Sequence, residues 1–120
     1  MNKYGNKKCE FNGLKFDSKA EMQRFKYLHH LQQIGVIHSL TVQPKFLLQQ
    51  AFERNGVKHQ AEHYVADFRY ILDYQETIED VKGMATPLYM SKRKRFLFKN
   101  EDIEFLEVRL KGAKWEVTKL

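Results

Sequence analysis

An α/β sandwich built about a mixed sheet is the fold class this chain predicts, and three observations carry it. A capped amphipathic stretch opens the order at Ser18, where Glu21 stands three residues on and Phe25, Leu28 and Leu31 recur at helical spacing. Extended, mostly apolar runs fill the middle of the chain, punctuated by Asn-Gly turn signals. A second helical stretch then follows Thr86-Pro87, with strand patterns after it. The expected order is α-β-β-β-α-β, with helices flanking a mixed central sheet.

Each element has a local reason. Residues 1–9 are polar and lysine-rich and read as a basic arm, and Asn12-Gly13 predicts a tight hairpin within 10–16. The first helix spans Ser18 to about Ile34, where Gly35 supplies the C-cap. From Val36 to Gln49 the pattern is extended, with Pro44 forcing an edge position or an irregular step. Asn55-Gly56 predicts a hairpin joining the Phe46–Leu48 segment to an extended run from about 62 to 74. Thr77–Lys82 reads as the next strand and Gly83 breaks it. The second helix covers about 87–100, and strands are expected near 102–109 and 115–120, with Gly112 turning between them.

The totals restrict what the chain does. With 120 residues it forms one domain, and 42% hydrophobic with 30% charged residues is the balance of an ordinary globular chain rather than a disordered one. Twenty-one Lys and Arg against fifteen Asp and Glu give 21 − 15 = +6, which favours a polyanion partner. Cys9 stands alone, so neither a disulfide framework nor a cysteine zinc site is expected. No apolar run approaches the ~20 residues of a membrane span, and the N-terminal residues lack the apolar core of a signal peptide. A cytoplasmic protein without membrane contact is the expectation.

Chemistry concentrates in Tyr64-Val-Ala-Asp-Phe68 and Ile78-Glu-Asp-Val-Lys-Gly83. Both are apolar strand patterns interrupted by a carboxylate, and residues i and i+2 of a strand share a face, so Asp80 and Lys82 point the same way. Taking such groups into an apolar strand costs desolvation energy, which a divalent cation and a phosphodiester would offset. Mg²⁺ takes one or two carboxylates plus water and phosphate oxygens. Asp67 and Asp80 on neighbouring strands could supply them, with Lys82 one pleat further and Glu21 leaning in from the first helix. Each has a bland alternative: Glu21 completes a capping box, Asp67 pairs with Arg69, and Asp80 with Lys82 forms a surface ion pair. Glu79 rivals Asp80, but the alternation sets it on the face opposite Lys82. His59 and His63 have metal-like spacing only on a helix, so none of the histidines is assigned to metal. Tyr89, Phe96 and Trp115 read as core.

Taken in order, Gly13–Glu21, Gln43–Phe46, Tyr64–Phe68 and Glu79–Gly83 resemble the PD-(D/E)xK nuclease superfamily. They are closest to its small phage-encoded members related to Holliday-junction resolvases, long described as a domain of unknown function. The likeness spans roughly residues 4–100. It implies a restriction-endonuclease-like core, Mg²⁺ or Mn²⁺ held by Asp67, Asp80 and Glu21, and a water positioned by Lys82. It implies hydrolysis of DNA, branched or junction DNA in particular, by a homodimer in the bacterial host cytoplasm. Ala66 stands where the superfamily name has Pro, and Asp80 is one methylene shorter than the Glu of many members. Lys92, Arg93, Lys94, Arg95 and Lys99 on the second helix, with Lys19 on the first, are the expected DNA-binding residues. The alternatives are a non-catalytic DNA-binding protein and a subunit of a phage DNA-processing complex.

Overall fold

The computed structural model describes residues 8–120. A small hairpin, β1 (Cys9–Phe11) with β2 (Leu14–Phe16), turns at Asn12-Gly13, where both φ angles are positive. Most of the expected basic arm lies outside the described residues, and Cys9 belongs to β1 instead. Helix α1 (Lys19–Gln33) starts as predicted, the Glu21 amide donating to Ser18 Oγ at 3.1 Å. It ends at Gly35, whose φ of 81° lets the amides of Gly35 and Val36 reach back to Gln32 and Leu31.

After α1 the chain makes one long bent hairpin of three paired stretches. β3 (His38–Val42) pairs with β8 (Phe68–Leu72), β4 (Lys45–Gln49) with β7 (Glu62–Val65), and β5 (Phe52–Arg54) with β6 (Val57–His59), all antiparallel. The first bend falls at Gln43-Pro44 against Ala66-Asp67. There Pro44 has no amide to donate, Gln43 takes a φ of 54°, and the chain is stitched by Gln43 N–H to Asp67 O and Ala66 N–H to Pro44 O. Asn55-Gly56 turns the chain as expected, closing the β5–β6 ribbon at the tip of the hairpin that pairs β4 with the β7 part of the later run. One expectation is corrected. That run itself divides at Ala66-Asp67 and turns at Asp73-Tyr74. Both turn residues adopt positive φ without a glycine, which is why the sequence hid the turn.

Strand β9 (Gln75–Val81) pairs antiparallel with β8 and parallel with β10 (Glu104–Lys111), and β11 (Lys114–Lys119) closes the far edge. The sheet order is β11-β10-β9-β8-β3, a mixed sheet. Between β9 and β10 runs α2 (Pro87–Lys99), capped by Thr86. Central β9 is covered on both faces, so its alternation divides the core. Val81 joins Phe16, Phe25, Leu28, Phe68 and Val108 in one cluster with α1. Ile78 joins Tyr64, Ala66, Tyr89, Phe96 and Phe105 in the other, with α2. No helix of the described residues is long and apolar enough to cross a membrane.

Candidate active site

Two carboxylates meet where the hairpin bends over the central sheet. Phe68 lies opposite Glu79 at the end of the β8–β9 ladder, so Asp67 and Asp80 are the next residues out from that pair, and their carboxyls act on each other. Asp67 is not inside a central strand as expected. It sits in the step just before β8, where the break frees its side chain to accept the Val81 amide at 2.7 Å. Interrupted ladders of this kind re-aim side chains.

Asp80 is 1% exposed. The buried Tyr64 hydroxyl donates to its Oδ2, and Lys82 Nζ stands 2.9 Å from its Oδ1. That ion pair is close but poorly aligned: among the described residues Oδ1 has no well-aligned hydrogen-bond donor, although it is buried. Lys82 is held from the other side by the Tyr89 ring, 4.3 Å from its ammonium to the centroid. The Tyr89 hydroxyl donates to Glu107, which also takes Arg93 at 2.6 Å and Arg109 at 3.1 Å. Arg109 in turn donates to the Gly83 carbonyl, so the chain just past Lys82 is anchored as well.

Glu107 lies across from Asp80 in the β9–β10 register. Burial alone would raise its carboxyl, but Tyr89, Arg109 and Arg93 together hold it below the usual range. Asp67 goes the other way. Burial first, then the Asp80 and Glu21 carboxylates, push it up to about 9 against the pull of the Val81 amide. Burial also raises Glu21; Asp17 and Asp80 add to the rise, while Lys82 and the Asp17 amide oppose it. Glu21 therefore shares the electrostatic neighbourhood of Asp67, Asp80 and Lys82. Ser18 caps α1 through its hydroxyl, and Asp17 acts on the Glu21 carboxyl from just before the cap.

The donor set suits a hard divalent cation. Three carboxyls crowd one another, and among the described residues the buried Asp80 Oδ1 has no well-aligned hydrogen-bond donor. Among the described residues no three His, Cys, Asp or Glu side chains form a ready-made cage. Mg²⁺ and Mn²⁺ fill such sites with water and substrate oxygens. The raised Asp67 carboxyl makes stability depend on pH. The fold keeps its proton up to about pH 9, whereas the unfolded chain releases it near the usual 3.8. The native state thus binds the extra proton between those values, and stability in EDTA falls as pH rises through that window. Because a cation replaces the proton, Mn²⁺ should raise the thermal midpoint more at about pH 8 than at about pH 6. A midpoint indifferent to Mn²⁺ at both would remove this site from consideration.

The remaining expected residues divide. Glu79 is on the face opposite Lys82, where Arg24 grips it through two nitrogens at 2.7 and 3.0 Å and Tyr70 adds a hydroxyl. On α2, Arg93 serves Glu107, Arg95 serves Glu62 at 2.8 Å, and Lys99 donates to the Leu48 carbonyl. Lys94 is exposed, Lys92 is half-buried, and Lys19 is exposed at the start of α1. The sequence did not single out Tyr64 or Glu107 as site residues. The period-2 alternation of β10 is the signal that could have placed Glu107 on the face of Asp80, whereas Tyr64 reaches it only because the strand breaks at Ala66-Asp67. No curated protein and no solved structure matches the chain. One family model does match, over residues 1–117, and the chain belongs to that family, described as Protein of unknown function (DUF1064).

Proposed function

We propose that this protein is a Mg²⁺- or Mn²⁺-dependent DNA endonuclease with a restriction-endonuclease-like core, acting on branched DNA as a homodimer. The observation that carries the reading is the meeting of the Asp67 and Asp80 carboxyls just beyond the end of the β8–β9 ladder, with Lys82 beside Asp80 and Glu21 in electrostatic reach. When bound, the cation would polarise the phosphodiester and acidify a water. Asp67 and Asp80 are the residues to hold it, their carboxylates fixed by the Val81 amide and the Tyr64 hydroxyl. Lys82, steadied between Asp80 and Tyr89, orients the attacking water and balances charge growing on the phosphate. Glu21 completes the shell or its outer layer. Two active sites in a dimer fit two symmetric cuts at a junction.

The net charge of +6 also fits a DNA-binding protein that cuts nothing, alone or within a phage complex. One experiment separates the readings. A synthetic four-way junction and matched linear duplex are incubated with Mg²⁺, Mn²⁺ or EDTA. Metal-dependent cleavage, stronger on the junction, is the expected result. Binding without cleavage under every ion would leave the non-catalytic reading.

A further inference from the structure

The distal third of the long hairpin has no part in the core or the site. Residues 49–60 are all exposed, and β5 and β6 pair with each other without packing substantially on any other element. A two-stranded ribbon is marginal by itself, and this one carries costly surface. Phe52 is 45% exposed and Val57 56%. Phe52 and His59 lie directly opposite and stack, ring centroids 4.4 Å apart and planes 9° off parallel. Arg54 and Val57 are paired two residues further along each strand, so they share that face. Lys58 is on the other face opposite Glu53, the only carboxylate in the ribbon.

We infer that this ribbon is a DNA-binding arm that enters a groove of the duplex about one helical turn from the cleavage site. Its choice of DNA as the polyanion rests on the nuclease reading. Width supports the fit: two strands ~4.8 Å apart with their side chains match a major groove ~12 Å wide. Reach supports it too. Asp67 lies at the first bend of the same hairpin, eleven residues from Gly56 at the tip. At ~3.3 Å per residue that segment spans at most ~36 Å, so the tip can lie up to about one ~34 Å turn away, where the same side of the duplex returns to the protein. Charge agrees with position. Arg93, Arg95 and Lys99 of α2 are engaged within the protein, whereas Arg54 makes no ion pair among the described residues. The exposed Phe52–His59 stack and Val57 give the arm an apolar surface for sugar and base edges.

The test is equilibrium binding in EDTA to a labelled duplex of ~30 base pairs, long enough to pass under the arm, over a salt series. Arg54→Ala with Lys58→Ala should weaken binding ~10-fold and lower the slope of log K against log salt by about 2, at ~0.9 for each phosphate no longer neutralised. A duplex too short to reach the tip should bind wild type and variant alike. A second variant joins Gln50 to Ala61 through Asn-Gly, and should reproduce the loss with its thermal midpoint kept. Unchanged affinity and slope in both variants overturn the inference. So does conversion of a dimer to a monomer with DNA affinity intact, since the unpaired strand edges would then be a contact between copies of this chain. Failure of the wild type to cut DNA would instead sink the nuclease reading and leave this result standing.

Discussion

Asp80→Asn is expected to reduce metal-dependent cleavage by at least ~10³-fold while DNA affinity in EDTA changes little. Single preorganised electrostatic groups are worth ~10²–10³ in rate, and Asp80 serves two roles at once. Its buried Oδ1 has no well-aligned hydrogen-bond donor among the described residues, and its charge holds Lys82 in place. Asparagine keeps the size and an acceptor for the Tyr64 hydroxyl but removes the charge. Asp67→Ala should lose cleavage just as completely, and so should Lys82→Ala, because neither neighbour can replace the other. Single-turnover rates on the junction, with binding measured in parallel, separate lost chemistry from lost substrate. Cleavage by Asp80→Asn within tenfold of wild type would mean that the reacting phosphate sits elsewhere.

Arg24→Ala should destabilise the protein by about 3–5 kcal/mol, the cost of leaving a buried charge without its partner. Arg24 and Glu79 are both buried, their side chains 8% and 1% exposed, and two nitrogens of one guanidinium face the two oxygens of one carboxylate. Tyr27 and Trp115 rings lie against the guanidinium. Replacing both partners with Met should cost much less than either single change, since apolar groups of similar volume restore packing and leave mainly the Tyr70 hydroxyl to satisfy. Urea unfolding of the two single variants and the double measures it. A loss below about 1 kcal/mol for Arg24→Ala would mean that water reaches Glu79. The pair also matters to the site. Glu21 precedes Arg24 by one helical turn and Asp80 follows Glu79, so the bridge fastens α1 to β9 beside two of the carboxyls.

Much of this architecture was legible from local chemistry. Ser18, Gly35, Thr86 and Pro87 mark the helix ends because caps and prolines act within a few residues. Asn12-Gly13 and Asn55-Gly56 mark turns for the same reason. The alternation of β9 correctly assigned Asp80 with Lys82 to one face and Glu79 to the other. Asp73-Tyr74 escaped notice because no glycine follows Asp73 and a tyrosine seldom takes positive φ. The arginines of α2 read as a binding surface, since nothing local shows that Glu62 and Glu107 take two of them.

By itself the sequence determined the order and ends of the helices, the β9 alternation and a set of acidic and basic residues able to act together. Those properties depend on neighbours within one turn or one pleat. Only the tertiary structure decided that the hairpin breaks at Asp67 and brings its carboxyl to that of Asp80. It alone put Tyr64 and Tyr89 around Asp80 and Lys82, and left β5–β6 standing clear of the core. Each of these depends on strand register and on contacts between residues far apart in the chain, which no short window of sequence records.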